Sequence, residues 1–356
     1  MEPQVSSRMN KVLLIINCII LAIGYCGAPL IMRLYFIKGG KRIWLSCWLE
    51  TVAWPINFIP LVISYLYRRK NNNNNNNSSK LILMTPRIFM ATIWIGILQG
   101  LSNYSYSYGV AKLPVSTNGL LTSTQLAFIA FFAFIIVRLK LTSYSINSVF
   151  LLTIGAVVLA LHSGGDRPEG ETNKEYILGF VMSLAAAALT GLIFPLVELI
   201  YKKAQQAITY TFVLEFQTVY CFVATVFSTV GMIINNDFQA ISSEAKSFEL
   251  GEGKYYVVII SIAIILQFYF LGTIGVIYSS SSLVCGILIS VLLPLTEVLA
   301  VILYGEKFSA EKGISLALCL WGCASYFYGD YKDNKKRENS NQSLETETIG
   351  KTKCTP

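Results

Sequence analysis

Charged side chains are scarce in this sequence of 356 residues: Asp, Glu, Lys and Arg make up 13% of it, while hydrophobic residues make up 54%. A soluble globular protein carries roughly 25% charged residues. The low share excludes an ordinary soluble domain, a disordered scaffold and a collagen. Long apolar runs stand in place of the missing charges, as is typical of segments that cross a bilayer.

Histidine is nearly absent, with one residue at position 162, and no Cys-x-x-Cys pair occurs among the eight cysteines. Metal and redox sites of the common kinds need such clusters, so we expect no cofactor and no metal. An intramembrane enzyme would need a nucleophile with a base, or a metal cluster, and the apolar runs offer neither. The sequence therefore argues against an enzyme.

The formal net charge is +8, but the basic residues are spread between the apolar runs and do not form one stripe. We therefore expect no nucleic-acid partner. An excess of Lys and Arg in short segments between spans is better explained by membrane topology.

Ten apolar runs follow one another along the chain, and they are too long for the strands of a membrane barrel, which have about ten residues. They predict an all-α polytopic membrane protein with ten transmembrane helices and the lipid bilayer as its surroundings. A signalling receptor of the common kind would have seven. The runs are 12–32, 43–67, 88–109, 114–137, 144–162, 177–201, 208–234, 255–277, 283–304 and 312–329.

An even number of spans puts both termini on the same side, and the distribution of Lys and Arg predicts that this side is the cytoplasm. Two loops predicted on the other side are acidic. The chain does not end in a retention signal, so the plasma membrane is expected. The predicted organisation is a cytoplasmic segment 1–11, a first five-helix repeat 12–162, an extracytoplasmic loop 163–176, a second repeat 177–331 and a disordered cytoplasmic tail 332–356.

The two halves resemble each other at a spacing of about 166 residues, which indicates an internal repeat. Because each half has five helices, an odd number, the second half must enter the membrane inverted. Inverted repeats are typical of transporters that work by alternating access around a site near the bilayer midplane. The matched positions include Gly24 with Gly191, Pro29 with Pro195, and Glu50 with Glu215.

Four glutamates fall inside apolar runs, where an ionised carboxylate is costly unless it faces the bundle interior or a wet cavity. Glu198 is four residues before Lys202, and an ion pair along the helix explains it. Glu50, Glu215 and Glu297 are candidates for proton coupling, because a carboxyl group that is neutral when occluded and charged when hydrated can carry a proton. The sequence does not show their titration, so a facilitative carrier stays open.

Other polar residues recur at helical spacing within the second, third and fourth runs. An indole and amides that both donate and accept hydrogen bonds suit a planar heterocycle. The alternative is interhelical hydrogen bonding with no ligand, which small polar residues commonly supply. The candidate substrate-binding residues are Trp54, Asn103, Thr122 and Gln125.

Several motifs together resemble the plant purine permease family over roughly residues 11–331. They are Arg33 to Phe36, Gly39 to Arg42 with Trp44, Trp54-Pro55, Asn103 to Tyr106, Tyr108 to Thr117, Ser123 to Phe128 and Asp166 to Pro168. The resemblance implies the drug/metabolite transporter fold, with ten helices in two inverted five-helix halves. It also implies proton-coupled uptake of a small purine-type substrate, adenine or a cytokinin, and in some members alkaloids or vitamin B6 compounds.

Overall fold

The computed structural model describes residues 2–40, 42–72, 84–112, 121–122, 124–139, 142–162, 173–204 and 210–304, and near the C-terminus 310, 313–314, 316–318, 320–329, 331–332 and 335. Every regular element among these residues is helical. The elements are α1 Glu2–Ile37, α2 Ile43–Leu49, a 3-10 turn Trp54–Asn57, α3 Phe58–Asn72, α4 Pro86–Lys112, α5 Gln125–Phe132 with a π turn Ala133–Val137, α6 Ser143–His162, α7 Asn173–Lys203, α8 Tyr210–Ile234, α9 Asp237–Ser247, α10 Glu252–Ser279, α11 Ser282–Tyr304 and α12 within Leu316–Gly329.

Five segments of the described chain are long and apolar enough to cross a membrane. They are Val12–Met32, Ile43–Leu66, Ile177–Lys203, Tyr210–Ile234 and Glu252–Ser279, and shorter apolar helices cover Gln125–Val137, Ser282–Thr296 and Leu316–Gly329. The predicted all-helical membrane class is confirmed. Residues 163–172 of the predicted extracytoplasmic loop and the predicted tail beyond 335 lie outside the described residues. Most of a run of seven asparagines, Asn71 to Asn77, lies outside them as well.

The second predicted run, 43–67, is not one continuous helix. It divides into α2, the 3-10 turn and α3, so the helical spacing expected for polar residues of this run does not apply across Glu50 and Trp54. A further helix, α9, lies in the predicted acidic loop between α8 and α10. The apolar pattern marks the second span but not the break within it, which lies at Pro55. The helix α9 contacts Arg42, which is distant in sequence, so a local pattern does not reveal that contact.

The most extensive interfaces join α1 to α10 and α4 to both α7 and α8. Close approach of α1 and α10 depends on glycine at two places. A Cβ atom added at Gly24 would lie 2.2 Å from the backbone nitrogen of Tyr269, and one added at Gly272 would lie 2.4 Å from that of Leu21. Small residues of this kind let membrane helices pack backbone against backbone.

Many large apolar side chains lie on the outside of the bundle. The exposed fraction is 66% for Trp94, 64% for Ile59 and 63% for Phe150. In water such a surface would be costly, but hydrocarbon chains solvate it. Polar side chains are buried instead, and the site is built from these.

Candidate functional site

The second span breaks inside the bundle, and Pro55 explains where. In a continuous helix residue 55 would donate its backbone N–H to the carbonyl of Thr51, but proline has none. The Thr51 carbonyl accepts from the backbone N–H of Trp54 at 3.2 Å and from Nε2 of Gln267, on α10, at 3.1 Å. A side chain of another helix thus uses a carbonyl freed by the break, as occurs where broken membrane helices line a cavity.

Glu50 lies beside this break, at the C-terminal end of α2, and 8% of its surface is exposed. The hydroxyl of Ser107, on α4, donates to its Oε1 at 3.4 Å. Glu50 therefore faces the bundle interior, as the cost of a lipid-facing carboxylate predicts.

Three buried side chains connect α4 to α8 next to the break. The Tyr220 hydroxyl donates to Oε1 of Gln99, and Nε2 of Gln99 donates to Oδ1 of Asn103. The Tyr220 ring packs between Phe216 and Phe270, with ring centroids 6.2 and 5.9 Å away. Asn103, a predicted substrate residue, thus belongs to a fixed interhelical chain of hydrogen bonds.

A second amide pair joins α8 to α10, and it is not among the candidate substrate-binding residues predicted from the sequence. Nε2 of Gln217 lies 3.5 Å from Oε1 of Gln267 and 3.3 Å from Sγ of Cys221. Oε1 of the fully buried Gln217 has no hydrogen-bond partner among the described residues. Both amides lie in apolar runs, so the criterion that singled out Asn103 and Gln125 could have found them.

Glu215 lies near the start of α8, and its Oε2 accepts the backbone N–H of Met84 at 3.2 Å. Met84 comes just before α4, whereas Ser107, the partner of Glu50, lies in the last two turns of α4. At about 1.5 Å per residue, the two carboxylates are held about 30 Å apart along that helix. Glu50 and Glu215 therefore lie near opposite ends of α4.

Trp54 is in the 3-10 turn of the break, and its ring meets two phenylalanines edge to face. The ring centroids are 5.4 Å from Phe58 and 5.1 Å from Phe222. Trp54 is half-buried, on the same break as Glu50 and next to α8. The structure thus places Trp54 and Glu50 at the same break.

Thr122 and Gln125 lie in a different region. Gln125 is the first residue of α5, and Thr122 lies just before this helix. This helix packs against α6, α7 and α11 rather than against α2, α4 or α8 in the described part of the chain. Phe128 covers Gly191 of α7, and Leu126 covers Gly286 of α11. The described structure therefore does not unite these two residues with the break.

The structure describes the side chain of Glu198 but not that of Glu297, which lies on α11. Oε1 of Glu198 pairs with Nζ of Lys202 at 2.7 Å, as predicted. Its Oε2 also accepts the backbone N–H of Ser282 at 2.7 Å, so Glu198 caps the N-terminus of α11.

Two other buried polar side chains, Ser102 of α4 and Thr218 of α8, form hydrogen bonds between helices or within one helix. The Ser102 hydroxyl lies 3.2 Å from the carbonyl oxygen of Ala186 and 2.9 Å from the hydroxyl of Thr190, both on α7. Thr218 donates to the carbonyl of Leu214 within its own helix at 2.7 Å. The interior of α2, α4, α8 and α10 is thus the place where amides, phenols and a carboxyl group accumulate.

The comparisons with known proteins agree on one family. A family model described as purine nucleobase transmembrane transport matches residues 12–336. The chain is 56% identical to purine permease 3 of Arabidopsis thaliana and 54% identical to purine permease 2 of the same plant, covering 95% of this chain and 97% of each relative. It is 36% identical to probable purine permease 5, over 93% of this chain and 90% of that relative.

One solved crystal structure of a protein aligns with 86% of this chain, and the alignment includes 97% of the chain in that crystal structure. Its TM-score is 0.58 and its sequence identity is 16%. At that identity the similarity concerns the fold alone.

Proposed function

The chain belongs to the purine permease family, and from this premise we propose that it imports purine bases and their derivatives, adenine and cytokinins, in symport with protons by alternating access. The family consists of transporters, so the chain is a multi-pass membrane transporter and not an enzyme. Its relatives support purine nucleobase transport as the general activity. The observation that carries the finer proposal is the buried polar network at the break in the second span.

The substrate site that we propose is built from the amides and the phenol of this network with Trp54. A side-chain amide can donate to N7 and accept from the 6-amino group of adenine at the same time. Oε1 of Gln217 is a buried acceptor without a partner among the described residues, which suits a ligand's amino group. Gln99, Asn103 and Gln267 would exchange some of their present bonds for bonds to the ring.

Thr122 and Gln125 remain candidate substrate contacts on the α5 side of the bundle. Their helix packs on α7 and α11, so they would meet a substrate at a different stage of its path. Variants of Gln125 and of Gln267 distinguish the roles of the two regions, because only a Gln267 variant alters the hydrogen bond to the Thr51 carbonyl.

Helix packing supports the proposed ten-helix inverted repeat. If each helix of the first half corresponds to one of the second, the pair α1 and α10 corresponds to the pair α7 and α4. Both interfaces are present and extensive. The pair α5 and α7 likewise corresponds to α11 and α1, and both of these helix pairs pack.

For proton coupling we propose Glu215 and Glu50, with Glu297 as the third candidate. The first two are held near opposite ends of α4, so each could be hydrated when its own side of the bundle opens. The distribution of basic residues supports cytoplasmic termini, and we propose the plasma membrane as the location. A facilitative carrier of purine derivatives, alkaloids or vitamin B6 compounds is the alternative, because both carboxylates already have hydrogen-bond partners.

The test is uptake of radiolabelled adenine by yeast that lacks its own purine permease, at acidic and neutral external pH, with and without a protonophore. We expect Glu215→Gln to remove the stimulation by acidic pH, because the amide keeps the bond to the Met84 N–H but cannot titrate. Glu198→Gln is the matched control, since Lys202 and Ser282 account for that carboxylate.

Three outcomes are distinct. Uptake that is stimulated by acid in wild type and Glu198→Gln but not in Glu215→Gln supports coupling through Glu215. Uptake that ignores pH and protonophore in wild type indicates the facilitative carrier. Absence of uptake in wild type excludes adenine as the substrate.

A further inference from the structure

A network of charges lies at the end of the bundle formed by the α1–α2 connection, α9 and the start of α10. Nη1 of Arg42 lies 3.3 Å from Oδ1 of Asp237, and its Nε lies 3.7 Å from Oε2 of Glu244. Tyr35 donates its hydroxyl to Oε1 of Glu244, and Tyr255 donates to the same oxygen at 3.4 Å. The charge distribution of the sequence predicts that this end is extracytoplasmic.

The bonds made by Arg42 and Tyr35 join the two halves of the chain, whereas the bond from Tyr255 to Glu244 lies within the second half. Tyr35 and Arg42 belong to the first half, and Asp237, Glu244 and Tyr255 belong to the second. An exposed pair outside the network does the same: Nζ of Lys38 lies 2.8 Å from Oε2 of Glu249, and the Glu249 backbone N–H donates to the Lys38 carbonyl at 3.3 Å. This end is therefore closed by contacts between halves.

Because the carboxylates of this network are buried, losing one of their partners costs free energy. Asp237 is 0% exposed and Glu244 is 8% exposed, whereas 41% of the Arg42 side chain is exposed. Burial and then the bond to Glu244 raise the pKa of Tyr35 well above its ordinary value, so its hydroxyl stays protonated and donates. A buried carboxylate that loses its cation is strongly destabilised, so Arg42 holds both carboxylates in place.

A residue with positive φ precedes α9, and another follows it. Asn236, before α9, has φ 56°, and Gly251, after it, has φ 92°. These left-handed residues turn the chain sharply between α8, α9 and α10. The short helix between these two turns carries Asp237 and Glu244, and both contact Arg42.

Bonds between halves at the opposite end are of another kind. Ser64 and Thr211 share a hydroxyl bond of 2.7 Å, and the Tyr210 hydroxyl donates to Oδ1 of Asn17 at 3.0 Å. These donors and acceptors are neutral. In the described state, ion pairs with Arg42 join the halves at the first end. The contacts described at the other end include these hydroxyl bonds, the bond from the Met84 N–H to Glu215 and the bond from Lys332 to the Tyr144 hydroxyl.

We propose that Arg42, Asp237 and Glu244 form an ionic gate that is closed in this state and opens once in each transport cycle. The proposal rests on the proposed function, because only a transporter needs this end to open. It assigns a role to Arg42 that neither substrate binding nor proton coupling requires.

The first test pins this end closed without touching the gate residues. Lys38 and Glu249 are adjacent through their backbones, so Lys38→Cys/Glu249→Cys is placed to form a disulfide. We expect oxidation to reduce adenine uptake several-fold and reduction to restore it, which also shows that the protein is folded. Each single variant, oxidised in the same way, controls for bonds to native cysteines and should keep its uptake.

The second test needs no transport. Cys47 of α2 is buried between the gate and Glu50, so a hydrophilic maleimide should reach it only when the gate opens. In protein purified in detergent we expect Arg42→Gln to raise Cys47 labelling several-fold, measured by peptide mass. Lys38→Gln, which removes an exposed ion pair at the same end, should leave it at the wild-type level.

Two results would overturn the gate: undiminished uptake by the double variant with its disulfide confirmed by mass, or equal Cys47 labelling in Arg42→Gln and Lys38→Gln. If neither wild type nor the reduced double variant takes up adenine, the proposed function fails for that substrate. The labelling of Cys47 then still decides the gate.

Discussion

Tyr201 and Tyr220 are buried tyrosines on α7 and α8 that differ in what their hydroxyl groups contact. Tyr220 donates to Gln99, whereas the Tyr201 hydroxyl has no hydrogen-bond partner within the described residues. Removing one partner of a buried hydrogen bond costs about 1–3 kcal/mol, while removing an unpaired hydroxyl is neutral or stabilising.

We therefore expect Tyr220→Phe to lower the free energy of unfolding by about 1–2 kcal/mol and Tyr201→Phe to leave it unchanged or raise it. Thermal unfolding of the purified proteins in detergent, followed by tryptophan fluorescence, measures both. Equal losses in the two variants would contradict the different hydrogen bonding of the two hydroxyls.

At this scale the sequence predicts which residues are unusual but not which partners they have. A glutamate in an apolar run must face the interior, and Glu50, Glu198 and Glu215 are all buried. Only the Lys202 partner of Glu198 is close in sequence, so only that pair could be predicted. Partners such as Met84 and Ser107 are brought in by other helices.

At the scale of elements, the break in the second span depends on one missing N–H. Pro55→Ala restores a donor that can bond to the Thr51 carbonyl in a continuous helix, in competition with the Gln267 amide. We expect a protein at least as stable as wild type whose adenine uptake falls several-fold. Uptake assayed at matched membrane expression tests this.

Pro86→Ala is the matched control for Pro55→Ala. Pro86 is the first residue of α4, where a backbone N–H has no helical partner in any case, so the substitution should leave uptake unchanged. Full uptake by Pro55→Ala would separate the break from the transport function.

Close packing of α1 on α10 gives a second prediction for elements. A methyl group at Gly24 would lie 2.2 Å from the Tyr269 backbone nitrogen, whereas one at Gly253 of α10 would meet nothing within 4 Å. Because backbone cannot move aside as a side chain can, Gly24→Ala should cost at least the 1–3 kcal/mol or so that is typical of overpacking.

Gly253→Ala should instead gain up to about 1 kcal/mol, because alanine favours a helix over glycine. Thermal unfolding in detergent separates the two variants by the sign of the shift. A gain in stability for Gly24→Ala would mean that the two helices are farther apart than described.

Sequence patterns are sufficient to predict the long apolar helices but not the short polar one. Long apolar runs have few alternatives to helix in a membrane, so the position of α8 at 210–234 was close to the predicted 208–234. The helix α9 is short and polar, and its Asp237 and Glu244 contact Arg42, which is far away in sequence. A local pattern contains no information about that contact.

At the scale of the whole molecule, the halves depend on each other. The most extensive interfaces, α1 with α10 and α4 with α7 and α8, all join the first half to the second. We expect residues 1–168 expressed alone to be degraded, and the same residues expressed together with residues 169–356 to restore adenine uptake.

Protease-resistant yield of the tagged first half, with and without the second, is the measurement. A stable first half on its own would contradict the interlocked packing. The sequence alone suggests two separate repeats, because it reveals similarity between halves but not which helices pack together.

The interrupted second span also affects how the chain enters the membrane during synthesis. A lone span needs about 20 apolar residues to stay in a bilayer, but α2 has 7 residues and α3 has 15, and Ile43–Leu66 is the least apolar of the five candidate spans. Its packing partners α4 and α8 are translated after it. Stable insertion of the second span should therefore wait for helices that the ribosome has yet to make.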